Sequence, residues 1–501
     1  MIDLKKIISH SKEYGFIFPS SEIYDGLSAI YDYGPFGVEL KNNIKKSWWQ
    51  SMVHENENIV GIDSAIFMHP SIWKASGHID AFNDPLIDNK DSKKRYRADS
   101  LVEDELLKYE QKINKEIIKA KKKFGSDFDL SAFEKTNPRV IRYNKKINYT
   151  KEQLHDSLEK GNMNQLKALI EELEIRCPVS GTTNWTDVRT FNLMFDTKIG
   201  AVASDSTKLY LRPETAQGIF VNFLNVQKSA RKKIPFGIAQ IGKAFRNEIV
   251  ARQFIFRMRE FEQMEMQFFV RPGEEMEWYD FWKNKRMDWH KSLNLNQGSY
   301  KFHDHQNLAH YANAACDIEF QFPIGFKELE GIHSRTDYDL SQHQSYSKKK
   351  LSYFDSELND SYIPYVVETS VGLDRLFLSI LCGSFIQETI NNEQRTVLKL
   401  PPHLAPISVA ILPLVKKDGL NNKARNIFND LKAKFSCHYE EKDSIGKRYR
   451  RQDAIGTPLC ITIDHETIND NQVTLRDRNT MHQERVPIIK LTEIIIEKLR
   501  V

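Results

Sequence analysis

Arginine, glutamate and phenylalanine side chains are concentrated in one predicted β-hairpin. Because side chains alternate between the two faces of a strand, Arg246 and Glu248 would share a face of the first strand. Arg257, Arg259 and Phe261 would share a face of the second strand. Planar guanidinium groups bind phosphate oxygens in pairs, and a phenylalanine ring stacks on a base. On composition alone a solvated surface hairpin with Phe261 in the core is the simpler interpretation, and a nucleotide site is the alternative.

A second polar segment joins a predicted strand to a predicted helix. Glu368 and Ser370 fall on one face of an apolar strand that ends before Gly372. Burying a carboxylate in such a strand is costly unless it binds something. Arg375 falls in the first turn of the helix, where the positive end of the helix dipole disfavours it unless an anion is bound. These residues predict a ligand site, and a buried Glu368–Arg375 ion pair without a function is the alternative.

Shifts in composition divide the chain into four parts. Residues 1–88 and 177–400 mix aromatic residues, glycine and short apolar runs, which is typical of the strands and helices of one larger α/β domain. Residues 89–176 are rich in lysine and predict a mostly helical insertion. Residues 401–501 begin with a proline-rich linker and alternate strands with helices, which predicts a small α/β domain.

The composition excludes several classes of protein. The chain has 501 residues, 40% of them hydrophobic, so it can build sizeable cores and is not globally disordered. A net charge of +4 does not by itself indicate a polyanionic partner. Five scattered cysteines predict a reducing compartment without disulfides. No secretory signal is recognisable, and the longest apolar run, 407–415, is too short to cross a membrane. We therefore expect a soluble intracellular protein.

Several segments resemble the signature motifs of class II aminoacyl-tRNA synthetases. Phe245–Glu248 with Arg257–Phe261 resembles motif 2, Gly372–Arg375 resembles motif 3, and Tyr31–Trp49 resembles motif 1. Further blocks are similar to glycyl-tRNA synthetase of the single-chain, homodimeric type, and the similarity covers nearly the whole chain except residues 89–176. These blocks are Leu211–Phe220, Arg257–Glu265, Glu328–Ile332, Glu368–Ser370, Arg448–Arg451, Ile455–Pro458 and Arg476–Arg478.

The resemblance implies a fold and a reaction. The fold is α+β, with an antiparallel sheet flanked by helices as the catalytic core, a helical insertion and a C-terminal α/β anticodon-binding domain. In the reaction the carboxylate of glycine attacks the α-phosphate of ATP, pyrophosphate leaves, and glycyl-adenylate passes its glycyl group to the 3′ end of tRNA(Gly). ATP enters as a complex with Mg²⁺. The family also implies a cytoplasmic homodimer in which the motif 1 regions meet.

The resemblance assigns the ATP site residue by residue. Arg246 and Arg375 are the expected catalytic residues. Arg246 would bridge the α-phosphate and the glycine carboxylate, while Arg375 would cover the adenine opposite Phe261 and reach the γ-phosphate. Glu328 and Glu330 are expected to face the magnesium ion of ATP. The full expected ATP set is Arg246, Asn247, Glu248, Phe256, Arg257, Met258, Arg259, Glu260, Phe261, Glu328, Leu329, Gly372, Leu373, Asp374 and Arg375.

The glycine site is expected to hold the ammonium group between carboxylates. Glu214 and Glu368, with Ser370, are the main expected contacts, and Arg335 is expected near the substrate. Rigid walls would exclude a methyl group. For residues 262–265 an ordinary strand that packs Met264 into the core is the alternative. The full expected glycine set is Arg97, Glu214, Phe261, Glu262, Gln263, Met264, Glu265, Glu368, Thr369, Ser370, Val371 and Gly372.

The C-terminal domain is expected to contact the anticodon of the tRNA. Basic residues bind a phosphate backbone, and aromatic residues stack on unpaired bases. A solvated basic face is the alternative. The lysine-rich segments 112–123 and 139–151 either touch the acceptor arm or form an ordinary charged surface. The anticodon candidates are Arg448, Tyr449, Arg450, Arg451, Arg476 and Arg478.

The chain departs from the family at a zinc site. Many relatives carry two cysteine pairs with the spacing of a tetrahedral zinc site. Here Asp88–Ser92 replaces the first pair, and Cys177–Ser180 retains only Cys177 of the second. Asparagine and serine are poor substitutes for thiolates. We predict that no zinc binds and that ordinary packing holds the insertion.

Two other functions are compatible with the motifs. A non-catalytic nucleic-acid-binding relative could use the same fold, but it would be free to lose the ATP-binding arginines, which are present here. A class II enzyme for another amino acid is the second alternative. The set of Glu214, Glu368 and Ser370 favours glycine, but only through the resemblance.

Overall fold

The computed structural model divides into two compact units. The first comprises Met1–Ser76, Asp196–Arg246 and Arg252–Val501, and the second comprises Gly77–Phe195 and Asn247–Ala251. Among the residues that the structure describes, none of the helices combines the length and the apolar character needed to cross a lipid bilayer. The described residues are 3–125, 128–200, 207–249, 253–295, 298–305, 308, 312–390 and 392–499.

Strands and helices alternate along most of the chain. In chain order the strands are β1 (Ile17–Pro19), β2 (Tyr31–Tyr33), β3 (Ile59–Gly61), β4 (Asn83–Asn89), β5 (Lys94–Arg97), β6 (Arg189–Asn192), β7 (Asp196–Ile199), β8 (Thr207–Tyr210), β9 (Phe236–Phe245), β10 (Glu260–Val270), β11 (Tyr300–Asp304), β12 (Ala314–Phe322), β13 (Gly325–Thr336), β14 (Tyr353–Asp355), β15 (Asp360–Tyr362), β16 (Tyr365–Gly372), β17 (Phe385–Ile390), β18 (Glu393–Leu398), β19 (Val409–Pro413), β20 (Cys437–Tyr439), β21 (Leu459–Ile463), β22 (Gln472–Asp477) and β23 (Gln483–Pro487). The α-helices are α1 (Leu4–Glu13), α2 (Pro35–Trp49), α3 (Pro70–Ala75), α4 (His78–Ala81), α5 (Ala98–Phe124), α6 (Leu130–Thr136), α7 (Pro138–Glu159), α8 (Met163–Glu172), α9 (Ala216–Val221), α10 (Phe223–Ser229), α11 (Glu275–Ser292), α12 (Tyr338–Ser347), α13 (Leu373–Ser384), α14 (Leu420–Leu431), α15 (Ile445–Ile455), α16 (His465–Asp470) and α17 (Leu491–Leu499).

A seven-stranded sheet forms the centre of the first unit. Its strand order is β11-β12-β13-β16-β10-β9-β3. Neighbouring strands are antiparallel except β3, which is parallel to β9. Helices α2, α11 and α13 contribute to the same hydrophobic core as the sheet. The prediction of an antiparallel sheet flanked by helices is thus confirmed.

The two faces of this sheet differ in chemistry. On β10, Met264, Met266 and Phe268 point to one face and are fully buried in the hydrophobic core. Glu265 and Gln267 alternate with them and therefore point to the other face. Since the apolar face is covered by helices, chemistry that needs polar side chains is confined to the opposite, polar face.

Helix α13 begins where β16 ends. Gly372 is the N-cap, and the buried side chains of the helix include Leu376, Phe377 and Ile380. The sequence pattern had predicted this strand, the turn at Gly372 and the apolar stripe. The turn fixes Arg375 in the first turn of the helix.

A buried polar network joins α2 and α13 to β10. Asp374 accepts hydrogen bonds from the backbone N–H of Glu262 (2.8 Å), from Lys41 Nζ (3.1 Å) and from the Tyr33 hydroxyl. Lys41 Nζ also lies 2.6 Å from Glu262 Oε2. Each of these charges is buried and would be costly without its partner. The network therefore ties the start of α13 to the edge of the polar face.

The arginine-rich hairpin differs from its prediction. Strand β9 ends at Phe245 and β10 begins at Glu260, so the charged residues beyond them lie on the connecting segment and the strand faces predicted for them are wrong. The N–H of Arg246 still donates to the carbonyl of Arg259 at 2.9 Å, but the ladder ends there because the N–H of Arg259 donates to the carbonyl of Ala29 and not back to β9. The residues displaced from the strands in this way are Arg246, Glu248, Arg257 and Arg259.

The C-terminal part contains a five-stranded mixed sheet in the order β20-β19-β21-β22-β23. Strand β19 is parallel to β20 and β21, and the remaining neighbours are antiparallel. Leu420, Ala424, Ile427 and Leu431 form the buried stripe of α14. Strands and helices lie where the sequence pattern predicted a small α/β domain.

The second unit combines a three-stranded sheet, β5-β4-β6, with helices α5 to α8. The long helices α5 and α7 have 27 and 22 residues. They pack together through Tyr109, Ile113, Val140 and Ile147. Most of the segment between β5 and β6 is helical, as the lysine-rich composition predicted.

Candidate active site

The polar face of the central sheet collects side chains from three adjacent strands. In the register of the sheet Glu265 lies opposite Ser370, and Glu368 lies between Gln267 and His333. Alternation along each strand brings the side chains to the same face. The set comprises Phe261, Gln263, Glu265 and Gln267 from β10, Glu368 and Ser370 from β16, and His333 and Arg335 from β13.

Two buried carboxyl groups form the centre of this face. The side-chain amide of Gln267 donates to both of them, at 3.1 Å to Glu265 Oε1 and 2.6 Å to Glu368 Oε2. The Thr215 hydroxyl donates to Glu265 Oε2. Glu368 also lies 2.9 Å from His333 Nδ1. Both carboxyl groups are therefore held in place by side chains from neighbouring elements.

Further charged side chains surround Glu265 and Glu368. Arg335 donates to Asp339 at 2.8 and 3.1 Å, and its Nη1 is 3.3 Å from Glu368 Oε2. The amide of Gln217 donates to Glu214 Oε1 at 2.9 Å and to Asp339 Oδ1 at 3.1 Å. The loop before α9 and helix α12 are thereby tied to the sheet, and Glu214 joins the carboxylate cluster.

Burial acts on both carboxyl groups, but their partners differ. Burial raises the pKa of Glu265 well above its usual range, and the charges of Glu368 and Glu214 raise it further. Burial would also raise the pKa of Glu368, but Arg335, His333 and Gln267 outweigh it and hold that pKa below its ordinary value. The cluster thus holds more carboxyl groups than bases, which suits a small cation such as an ammonium group.

Four residues of the expected glycine set lie on the opposite face of the sheet. Met264 and Val371 are in the hydrophobic core, Thr369 is fully buried, and Glu262 pairs with Lys41 of α2. Their side chains point away from the polar face because each is an odd number of residues from Glu265 or Ser370 on the same strand. We no longer assign these four side chains to glycine. On the same two strands, Gln263, Glu265 and Ser370 stay candidates for glycine binding together with Glu368. The Gln263 amide lies 3.3 Å from Ser370 Oγ.

Two arginines of the expected ATP set lie over aromatic rings. The Arg375 guanidinium is 4.6 Å from the centre of the Phe256 ring, and its Nη1 is 2.9 Å from Glu328 Oε2. The Arg246 guanidinium is 5.3 Å from the centre of the Phe261 ring. Arg246 Nε also donates to the carbonyl of Pro213, next to Glu214 in the chain. Cations and flat rings thus adjoin the carboxylate cluster, as a nucleotide site requires.

A β-bulge separates the two glutamates expected at magnesium. In the pairing of β12 with β13, Ile318 faces Glu330 and Glu319 faces Glu328, so Leu329 is an extra residue. Glu328 is half-exposed and paired with Arg375, and the positive charge of Arg375 lowers its pKa.

Glu330 instead points into the protein interior. It is fully buried between Arg286 and His290 of α11, each at 2.6 Å. Within the described ranges, the polar contacts of this carboxylate are with Arg286 and His290 of α11, on the covered face of the sheet. We withdraw Glu330 as a magnesium contact, because a carboxylate in this position cannot reach a ligand on the polar face.

Other members of the expected ATP set serve the fold. Met258, Leu329 and Leu373 are buried in the hydrophobic core, and Asp374 belongs to the buried network with Lys41. We withdraw ATP contacts for these four side chains. Three more lie at the end of the connecting segment or the start of β10: Arg259 donates to the carbonyl of Ser28, Glu260 pairs with Lys243, and Arg257 is half-buried.

Three expected substrate contacts belong to the second unit. Arg97 lies 3.0 Å from Asp84 Oδ1 and 2.6 Å from Asp99 Oδ2. The backbone N–H of Asn247 donates to the carbonyl of Leu193, and Glu248 is buried. The roles of Arg97, Asn247 and Glu248 at the substrate stay predictions.

The six anticodon candidates separate into two groups. Arg448, Arg476 and Arg478 are buried and are occupied by the protein itself. Arg448 and Arg478 donate to backbone carbonyls, and Arg476 donates to Asp453 at 2.9 and 3.0 Å. We withdraw these three as RNA contacts. Tyr449, Arg450 and Arg451 line a surface cavity of about 670 Å³ and remain candidates, although the paired Arg476 also contributes to the wall of this cavity.

The residues at the expected position of the zinc site form hydrogen bonds with one another. Cys177 Sγ lies 3.3 Å from both Ser92 Oγ and the Tyr96 hydroxyl. Ser180 Oγ donates to Asn89 Oδ1 at 2.9 Å. Within the described part of the chain, no three histidine, cysteine or acidic residues converge as metal ligands would. This donor set does not fit a tetrahedral zinc site.

Sequence analysis missed several side chains of the polar face. Gln267 and His333 bond directly to Glu368, and Thr215 and Asp339 hold Glu265 and Arg335. Continuing the alternation of β10 two residues beyond Glu265 would have found Gln267. His333 precedes Arg335 by two residues on β13, so the same rule applies to it.

Three family models match the chain. The model described as "tRNA synthetase class II core domain (G, H, P, S and T)" matches residues 198–383. "Glycyl-tRNA synthetase insertion domain 1" matches 84–193, and "Anticodon binding domain" matches 408–498.

Two curated relatives are similar over nearly their full length. The protein named "Glycine--tRNA ligase" from Chlorobaculum tepidum is 48% identical and covers 99% of this chain and 100% of its own. The protein of the same name from Staphylococcus haemolyticus is 49% identical, with 99% of each chain covered. The chain belongs to the glycine–tRNA ligase family.

Solved structures of other synthetases share the fold. The prolyl-tRNA synthetase of Giardia lamblia aligns with 99% of this chain and 78% of its own at a TM-score of 0.59 and 14% identity. The prolyl-tRNA synthetase of Cryptosporidium parvum aligns with 98% of this chain and 75% of its own. The TM-score is 0.57 and the sequence identity is 12%. At such identities the likeness supports the class II fold alone. Family membership therefore rests on the glycine–tRNA ligases and not on these structures.

The opposite environments of Glu328 and Glu330 generate a prediction about stability. Glu330→Gln leaves Arg286 without its buried counterion, and we expect the free energy of unfolding to fall by about 3–5 kcal/mol. Urea unfolding followed by tryptophan fluorescence measures this, because Trp282 and Trp289 lie on the same helix. Glu328→Gln is the matched control and should unfold like the unchanged protein, since its ion pair is half-exposed. Equal stability of both variants would contradict the assignment of Glu330 to the interior.

Proposed function

We propose that the chain is a glycine–tRNA ligase, which activates glycine with ATP and transfers it to the 3′ end of tRNA(Gly). The observation that carries the proposal is the carboxylate cluster of Glu214, Glu265 and Glu368 beside the arginines of the connecting segment and α13. An amino acid has an ammonium group for the carboxylates and a carboxylate for an arginine. The full-length similarity to proteins named glycine–tRNA ligase supports the same conclusion.

Catalysis in this proposal is positioning and charge stabilisation, with no side chain as nucleophile. The ammonium of glycine binds the cluster at Glu368, which directs its carboxylate toward the α-phosphate of ATP. Attack gives a pentavalent phosphorus with extra negative charge, and Arg246 neutralises this charge as pyrophosphate leaves. Holding the two reactants in line supplies much of the rate, because it removes the entropic cost of their encounter.

The proposed ATP contacts use the aromatic residues and arginines of the polar face. Phe261 stacks on one face of the adenine. Arg375 leaves its ion pair with Glu328, covers the other face of the adenine and contacts the γ-phosphate. Arg257 contacts the outer phosphates. Glu328, released from Arg375, then faces the Mg²⁺ that accompanies ATP, for which oxygen ligands are preferred.

The C-terminal domain is proposed to contact the anticodon through the cavity beside α15. The Arg450 side chain is partly exposed there and pairs at 3.3 Å with Glu393, so an RNA phosphate can compete for it. Tyr449 offers a ring for stacking on a loop base, although its hydroxyl bonds to Thr462.

We further propose a cytoplasmic homodimer in which the α2 regions meet. The support is the motif 1 resemblance of α2. Light scattering on the purified protein is expected to give twice the mass of a 58.5 kDa chain. A mass of one chain at working concentration would contradict the dimer.

Amino-acid-dependent ATP–pyrophosphate exchange tests the proposed function directly. We expect exchange with glycine and with no other amino acid, on protein pretreated with a chelator and then supplied with Mg²⁺ alone. Pretreatment is a control for the zinc site, because a protein that needs zinc would lose activity. Absence of exchange with every amino acid, from folded protein, would contradict the ligase and favour a nucleic-acid-binding relative.

The two groups of C-terminal arginines predict different consequences of substitution. Arg450→Ala should raise the KM for tRNA(Gly) about tenfold, as expected for one lost charged contact, and leave pyrophosphate exchange unchanged. The matched control is Arg425→Ala, an exposed arginine on α14 of the same domain. Aminoacylation kinetics with varied tRNA measure the effect. An unchanged KM in Arg450→Ala would remove this cavity from the anticodon interface.

A further inference from the structure

The carboxylate cluster is too negative to exist fully ionised without a bound cation. Glu265 and Glu368 share the amide of Gln267, which places their oxygens within the roughly 6 Å over which like charges disfavour ionisation. Glu265 is 2% and Glu368 5% exposed, so water screens them little. One proton shared by the pair would relieve this repulsion.

Titratable side chains surround Glu265 from the segment before α9 and from β13, α12 and β16. With Glu265 itself counted, four acidic groups face three charged bases, since His343 is buried with a pKa lowered mainly by burial and is therefore neutral. Arg335 and His333 bond to Asp339 and Glu368 and leave Glu265 to neutral donors. The surrounding titratable groups are Arg212 and Glu214 before α9, His333 and Arg335 on β13, Asp339 and His343 on α12, and Glu368 on β16.

The hydrogen bonds decide which carboxyl group holds the proton. Glu368 faces two bases, at 2.9 Å from His333 Nδ1 and 3.3 Å from Arg335 Nη1. Within the described part of the chain, the hydrogen bonds to Glu265 come only from the Thr215 hydroxyl and the Gln267 amide. Neutral donors stabilise a carboxylate less than cations do. Glu368 is therefore the ionised member of the pair and Glu265 the protonated one.

We propose that the ammonium group of the substrate displaces one proton from the Glu265 carboxyl to solvent water when it binds. The ammonium keeps its own three protons and forms an ion pair with the carboxylate left behind, so the pocket exchanges one positive charge for another. The inference rests on the proposed function, because it takes glycine as the source of the ammonium. His333 is a positioning residue here, since it acts on the substrate only through Glu368.

The pH dependence of glycine binding tests this exchange. In pyrophosphate exchange, the KM for glycine should fall about tenfold for each unit of rising pH while Glu265 is protonated in the free protein, because protons and ammonium then compete. The KM for ATP should lack this slope. Glu265→Gln cannot release a proton, so its KM for glycine should be higher and lose the slope. Titration of glycine's own amine is common to both proteins and cancels in the comparison.

A matched control and a direct proton count complete the design. Glu277→Gln replaces an exposed glutamate of α11 and should keep the original slope. Calorimetric titration of glycine into the unchanged protein, in buffers of different protonation enthalpy, should show release of close to one proton. This measurement needs no variant, so it decides the question even if Glu265→Gln fails to fold.

The possible outcomes separate this inference from the proposed function. Glycine-dependent exchange with a pH-independent KM and no proton release would overturn the proton exchange and leave the ligase intact. A slope that persists in Glu265→Gln would assign the proton to another group and also overturn it. Absence of both glycine binding and exchange would contradict the proposed function itself.

Discussion

The cost of burying carboxylates is the constraint on which the rest of this structure depends. Two glutamates lie on a sheet face that is almost closed to water, and each would be expelled or protonated without fixed partners. Gln267, His333 and Arg335 supply those partners to Glu368 from the same sheet, Thr215 and Gln267 hold Glu265, and Arg335 is itself held by Asp339 of α12. The site is therefore rigid before any ligand arrives, which preorganised electrostatic catalysis requires.

The opposite face of the sheet provides that rigidity. Methionine, valine and isoleucine side chains pack against three helices, and a buried network of Lys41, Glu262 and Asp374 fixes how α13 leaves the sheet. Arg375 lies one residue beyond Asp374. The position of a guanidinium at the proposed phosphate site thus depends on an ion pair on the face that no ligand reaches. A residue beside a site can be essential to its geometry without touching the substrate.

Alternation along the strands made much of the site predictable, and irregular backbone limited the rest. The turn at Gly372, the stripe of α13, and Glu368 with Ser370 follow from period two and period 3.6. By the same alternation Glu328 and Glu330 should share a face, but the extra residue Leu329 turns them to opposite faces. The periodicity of a sequence contains no signal for such a bulge. The strand ends at Phe245 and Glu260 depend on a backbone bond to Ala29, which is remote in sequence.

Arginine density was the least informative pattern, for a physical reason. A guanidinium satisfies buried carbonyls and carboxylates as readily as it binds phosphate, because the same planar donors serve both. Arg478 donates to the backbone carbonyls of Gly456 and Leu400, and Arg476 is buried against Asp453, whereas the Arg450 side chain is 37% exposed. Composition counts all three equally. Only burial separates an arginine that builds the domain from one that is available to RNA, and burial is a property of the tertiary structure that a local run of residues does not contain.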